Sequence, residues 1–168
     1  MKQIMDSQAM MRSITRMTHE IIEKNKGVED LILIGIVTRG VPLAHRIAKL
    51  LEEFEGISVP VVELDIKGWR DDLVEEVEKH SLDMDFTGKK VIIIDDVLHK
   101  GRTIRAAMDA IIDHGRPTSI QLAVLIDRGH REFPIRANVI GKNIPTSSSE
   151  RVQVLLTEID GQDSVILQ

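Results

Sequence analysis

At 168 residues, 42% hydrophobic and 29% charged, the chain has the length and balance of one globular domain with a sizeable core, which excludes a disordered segment. A formal charge of −5 excludes indiscriminate nucleic-acid binding through bulk charge, though it says nothing about a local basic patch. With no cysteine, disulfides, thiolate metal sites and a cysteine nucleophile are excluded.

The amino terminus carries no apolar signal segment and no run approaches the roughly 18 residues of a membrane helix, so a soluble, cytoplasmic protein without membrane contact is expected. Met10, Ile14, Met17 and Ile21 recur at helical spacing between about Asp6 and Asn25, and Gly27 is placed to end that helix. Arg12, Thr15, Arg16 and His19 share its polar face, which on spacing alone is an ordinary solvated face. Leu31–Val37 reads as a buried strand, and Thr38, Arg39 and Gly40 as a tight turn into a helix that starts near Val41 and Pro42 and ends around Phe54 and Gly56. Val59–Leu64 is the next strand, and the strand–helix–strand rhythm implies right-handed parallel crossovers. Between Asp65 and Lys90 the chain turns strongly polar, which predicts a mobile loop over about 66–89.

Val91–Ile94 is a β-branched run suited to a strand buried on both faces at the centre of a parallel sheet. Asp95 and Asp96 follow at its carboxyl end, then a short polar loop with Gly101. A helix begins at Arg102 or Thr103, its apolar face marked by Ile104, Ala107, Met108, Ile111 and Ile112. Open α/β sheets bind ligands outside the carboxyl ends of their strands, and free N–H groups at a helix amino terminus suit phosphate. This order suggests a sugar phosphate. Backbone N–H groups from about His99 to Thr103 would cradle the phosphate, while the carboxylates would accept from vicinal hydroxyls and hold Mg²⁺ directly or through water. On spacing alone, the aspartates are equally a helix cap and a surface charge.

Gly115 and Pro117 end that helix, Ser119–Ile126 is the next buried strand, and Asp127–Lys142 is locally basic. Arg151–Leu156 and Ser164–Leu167 read as late, short strands. The fold class is α/β, a single domain over 1–168 with an open, doubly wound, mostly parallel sheet and flanking helices.

VIIIDDVLHKGRT, residues 91–103, resembles the PRPP-binding signature of type I phosphoribosyltransferases. ITRMTHE at 14–20, ILIGIVTRG at 32–40, WRDD at 69–72 and above all GRPTSIQLAVLIDRGHREFPIRANVIGKNIPTS at 115–147 resemble the PyrR family. Its members regulate pyrimidine operons by binding messenger RNA, and many are uracil phosphoribosyltransferases. The resemblance spans nearly the whole chain. It implies a type I phosphoribosyltransferase fold with a hood over about 127–146, and conversion of uracil and PRPP to UMP and pyrophosphate.

The resemblance also implies roles. Asp95 and Asp96 would accept from the ribose hydroxyls and hold Mg²⁺, mainly through water or substrate. Val97, Leu98, His99, Lys100, Gly101, Arg102 and Thr103 would cradle the 5′-phosphate. Thr38, Arg39 and Gly40 would form the pyrophosphate loop, with Arg39 opposing charge on the leaving group. Arg70, Asp71 and Asp72 would close over the site, and Val139 and Ile140 would meet the base. Thr15, Arg16, His19, Arg131, Arg136 and Lys142 would bind a pyrimidine-leader mRNA hairpin, with UMP or UTP as effector, and a homo-oligomer is implied. Lys100 stands where the family loop usually has threonine, Val139 where the hood usually offers an aromatic, and Trp69 where tyrosine is common. The alternative is an RNA-binding regulator whose nucleotide site senses without catalysing.

Overall fold

The computed structural model describes residues 1–71 and 82–168. Asp72 and the middle of the expected 66–89 loop lie outside the described residues. The main sheet contains β2 (Leu31–Ile36), β3 (Val61–Leu64), β4 (Lys90–Leu98), β5 (Ser119–Asp127) and β6 (Val139–Asn143). Its five strands run parallel in the order β3-β2-β4-β5-β6. Helices α1 (Ser7–Asn25) and α2 (Gly40–Glu55) cover one face, and α3 (Arg102–Ile112) covers the other.

Alternation of side chains explains how one sheet feeds two cores. Leu33, Ile92, Ile94, Ala123 and Leu125 point to the α1/α2 side, while Ile32, Ile34, Val91, Ile93, Leu122 and Val124 point to the α3 side. Helix α1 starts at Asp6, whose carboxylate accepts the Ala9 N–H at 2.8 Å. It ends at a left-handed Lys26, where the Gly27 N–H reaches the Ile22 carbonyl at 3.0 Å. Among the described residues, no helix is long and apolar enough to cross a membrane.

Two boundaries differ from the sequence reading. Strand β4 does not stop before the acidic pair: it runs through Asp95 and Asp96 to Leu98, paired on one side with β5 as far as Leu98↔Asp127. On its other side the pairing with β2 ends at Gly35↔Ile94. The sheet's carboxyl edge therefore has a step, with β4 and β5 extending beyond β2. That step is also the topological switch point, where the chain passes outward to β3 on one side and to β5 on the other.

The second boundary concerns the hood. A separate antiparallel sheet forms from β1 (Lys2–Met5), β8 (Ser164–Leu167) and β7 (Val152–Leu155), with the short α4 (Thr157–Asp160) between the last two. Strand β7 packs against β4. Residues 127–146 instead supply β6 to the main sheet, because Val139 and Ile140 alternate in register with Ala123 and Val124. The amino-terminal strand β1 carries too little apolar pattern to be read alone. Trp69, expected in the polar loop, is buried in the 3-10 turn Lys67–Trp69 and donates its indole N–H to Asp113 at 2.7 Å.

Candidate functional site

The step at the carboxyl edge opens a cleft of about 390 Å³ lined by Ile36, Val37, Thr38, Arg39, Asp65, Ile66, Lys67, Arg70, Asp95, Asp96 and Thr103. A second hollow of about 250 Å³ follows the loop from Val97 to Ile104. Arg70 and Thr103 line both, so the two form one groove.

The acidic pair forms the groove's floor. The Asp96 N–H donates to Asp95 Oδ1 at 2.9 Å, and the Val97 N–H to Asp96 Oδ1 at 2.8 Å, so each carboxylate is fixed by the next backbone amide. Asp95 is only 8% exposed. Burial, reinforced by the adjacent Asp96 carboxylate, pushes the Asp95 carboxyl well above the ordinary range. A ligand that donates hydroxyl protons or brings positive charge would relieve that cost.

Helix α3 begins at Gly101, which is left-handed at φ 94° and offers no side-chain cap. The first turn of the helix therefore borders the second hollow without a side-chain cap, beside the Thr103 side chain, as a phosphate site requires. Arg131 holds the preceding loop: its guanidinium donates to the His99 carbonyl at 2.9 Å, the Ile135 carbonyl at 2.8 Å and Asp127 at 2.6 Å. Lys100 Nζ lies 3.5 Å from Glu132, drawn to that carboxylate at the rim. Burial, and then the charges of Arg128, Lys100, His130 and Arg131, lower the His99 pKa.

Opposite the acidic pair, the turn at Thr38–Gly40 leads into α2. Gly40 is required there because a methyl at its Cα would overlap the Ile94 carbonyl oxygen, so the turn lies directly on β4 next to Asp95. The peptide between Val37 and Thr38 is cis. Arg39 lines the cleft and is paired with Asp160 of α4, Nη2 to Oδ1 at 2.7 Å. At the end of the first described segment, Asp71 pairs with Arg105 at 2.8 Å and Arg102 at 3.2 Å, both of which lie over the Phe133 ring.

The groove thus gathers Thr38, Arg39, Arg70, Asp95, Asp96 and the loop from Val97 to Thr103, as the sequence suggested, with Asp71 at its margin. Within that loop Leu98 turns its side chain into the core. Asp72 lies outside the described residues. Val139 and Ile140 are not in the groove. Val139 is 2% exposed inside the α1/α2 core, and the Ile140 carbonyl accepts from Arg16 at 3.3 Å. They are the first two residues of β6, at the end of the strand away from the sheet's carboxyl edge, where the groove lies. Asp65 and Lys67 were missed, although their position just after β3 at the same sheet edge was a usable signal.

The α1 face is close to β6. Arg16 donates to the carbonyls of Ile140 and Gly141 and to Glu20, and His19 stacks on Phe54 with ring centroids 4.4 Å apart. Thr15, Arg16 and His19 line an open hollow with Met11 and Arg12, while Arg136 and Lys142 are exposed before and on β6. Arg131 is more buried than Arg16, and its guanidinium donates to Asp127 and to the carbonyls of His99 and Ile135.

Among the described residues, no cluster of three or more carboxylate, histidine or cysteine ligands could hold a metal ion by itself. Two carboxylates at the floor of a groove fit a divalent ion whose remaining ligands come from water and a phosphorylated ligand.

A family model for the phosphoribosyl transferase domain matches residues 1–156. The chain is 58% identical over 167 residues to the bifunctional protein PyrR of Clostridium novyi (strain NT), covering 96% of this chain and 94% of that one. It is 54% identical over 164 residues to the bifunctional protein PyrR of Streptococcus thermophilus (strain CNRZ 1066), covering 98% and 95%. Among solved structures, the hypoxanthine phosphoribosyltransferase of Trypanosoma cruzi superposes with a TM-score of 0.77 at 17% identity, over 99% of this chain and 95% of that one. At that identity the likeness speaks for the fold alone.

Proposed function

This chain belongs to the phosphoribosyl transferase family and, within it, to the PyrR proteins, and on that footing we propose that it joins two activities. It transfers the phosphoribosyl group of PRPP to uracil, yielding UMP and pyrophosphate, and it regulates pyrimidine genes by uridine-nucleotide-dependent binding of leader mRNA in the cytoplasm. The observation that carries this reading is the groove in which a buried acidic pair, an uncapped helix amino terminus and a cationic turn meet at one step of the sheet.

In this reading Asp95 and Asp96 accept from the ribose hydroxyls. The raised Asp95 carboxyl ionises as the ligand supplies donors and charge. The first turn of α3 and Thr103 hold the 5′-phosphate. Uracil N1 bonds to C1′ as the C1′–oxygen bond to pyrophosphate breaks, and the N1 proton is released. Positive charge builds at the ribose and negative charge on the leaving group, so preorganised charge matters more than a protein nucleophile. Arg39, with Thr38 and the Gly40 backbone, faces the leaving pyrophosphate. Mg²⁺, held by Asp95, Asp96 and the phosphates, would neutralise pyrophosphate charge. The base enters between β4 and the second sheet, where Val97 and Val152 are both partly buried against the α1/α2 core. Arg70 and Asp71 stand where the chain enters the groove's rim and can help to exclude water.

The RNA surface consists of the α1 face with Thr15, Arg16 and His19, continued by Lys142 and Arg136. With few aromatics, phosphate contacts and hydrogen bonds to looped bases carry recognition there. Exposed Val37 and Ile159, which line a hollow with Val41 and Pro42, offer apolar surface for self-association. The rival reading, a sensor without catalysis, rests on Lys100 and Val139; the pairing of Lys100 with Glu132 favours an open phosphate nest, and Val139 is buried in the α1/α2 core. The test is direct. Purified protein with uracil, PRPP and Mg²⁺ should form UMP, and UMP should tighten its grip on a pyrimidine-leader hairpin. Absence of product at high protein concentration would leave only the sensor.

A further inference from the structure

We infer that Asp160 is a positioning residue: it aims the Arg39 guanidinium across the cleft and thereby ties the second sheet to the turn that faces pyrophosphate. The inference rests on the transferase reading above and adds a residue outside the groove's lining to it.

The pairing is side-on. Arg39 presents Nε to Asp160 Oδ2 at 3.3 Å and Nη2 to Oδ1 at 2.7 Å. One edge of the planar fork is thus used by the carboxylate, and Nη1 with the outer hydrogen of Nη2 remains for an anion. A lone arginine side chain at the mouth of a cleft would sample many rotamers, and binding would have to freeze it. Here the cost is met before the ligand arrives.

Asp160 is itself held independently of Arg39, so that it sets the arginine's position rather than follows it. Its Oδ2 accepts the Leu156 N–H at 2.8 Å. Its flanking residues Glu158 and Asp163 are gripped by Arg46 of α2: Nε to Glu158 at 2.9 Å, Nη1 and Nη2 to Asp163 at 2.9 and 2.8 Å. Asp163 also accepts the Thr157 N–H and hydroxyl, both at 2.8 Å. The charges are secure: Arg46 chiefly holds the Asp163 carboxyl at about 2, and Arg39, then the Leu156 N–H, holds Asp160 below the usual range. Two arginines of one segment, at the start of α2 and two turns along it, therefore clamp one acidic turn.

The test is a double-mutant cycle on the full-length protein, read as UMP formation with varied PRPP. Asp160→Ala should lower kcat/KM for PRPP about tenfold, mostly through kcat, because Arg39 acts on charge that develops late. Asp160→Asn keeps one acceptor oxygen, for the Leu156 N–H and Arg39 Nε, while losing the charge and the acceptor for Nη2, and should recover part of the loss even if the alanine variant folds poorly. In an Arg39→Ala background, Asp160→Ala should cost less than about twofold more. Full additivity of the two losses, or equal losses for the asparagine and alanine variants, overturns the inference and makes Asp160 merely structural. Absence of UMP from the unaltered protein would instead strike the transferase reading. The same cycle would then be run on calorimetric binding of PRPP with Mg²⁺, with the same two outcomes.

Discussion

Asp95 shows how a site residue strains the protein that carries it. Its carboxyl titrates at an ordinary value when unfolded and well above that when folded, chiefly because it is buried. Between those two values the native chain binds more protons than the unfolded one, so this group's contribution is full at acid pH and is lost as pH rises through the window. Asp95→Asn should therefore raise the thermal midpoint of the ligand-free protein at neutral pH, by about 1 kcal/mol in stability, with no gain below the ordinary carboxylate range. UMP formation should be lost with it. Equal midpoints at neutral pH would show that the buried carboxyl carries no penalty. Lys100, by contrast, sits in an exposed pair with Glu132, and such pairs contribute little. Lys100→Thr should change the rate of UMP formation by less than about fivefold; a large gain would mean that the lysine blocks the nest. The acidic pair and the glycine loop were legible in sequence because their chemistry is carried by residue type. The engagement of Arg39 by Asp160 was not, since it joins residues far apart in the chain whose spacing holds no signal.

Among the elements, the central strands and flanking helices could be read from β-branched runs and the 3.6-residue period. Where the reading failed, burial and polarity had parted company. Strand β4 continues through two aspartates because β5 still pairs with it there, which no alternation of apolar residues reveals. Strand β6 was not read from the sequence because its segment is rich in charge: it is an edge strand with Lys142 and Asn143 exposed, lying within the 127–146 stretch that the family resemblance assigns to a hood. The true second sheet draws strands from both ends of the sequence, a pairing that local patterns cannot disclose. The tight seat of α2 on β4 gives a sharp element-level expectation. Gly40→Ala must lift the turn off the Ile94 carbonyl, at a cost of about 1–3 kcal/mol, and carry Arg39 with it. Chemical denaturation should register the first effect and PRPP affinity the second. An alanine variant with parental stability and affinity would show that the turn has room to spare.

For the molecule as a whole, the acidic net charge means that the proposed RNA contact needs a local basic face, which the α1–β6 side is proposed to supply. Lys142→Gln and Arg136→Gln should weaken hairpin binding while leaving the thermal midpoint unchanged, and each should flatten the salt dependence by roughly one phosphate contact. Arg131→Gln should do the reverse, lowering stability and UMP formation through the loop at His99, because its donors serve the interior. Retained stability with lost RNA binding in that variant would return Arg131 to the surface group.

The step in the sheet has one more implication. The groove's depth comes from a difference in strand length, with β2 ending at Ile36 and β4 at Leu98, rather than from the reach of a loop. Strand length changes only in whole residues, about 3.3 Å each, and every single-residue change also turns the following side chains to the opposite face. The pocket can therefore not be widened or narrowed gradually from below. Its floor is quantised, and selection for a different ligand is left to act on the rim, the turns and the second sheet, where size and chemistry vary continuously.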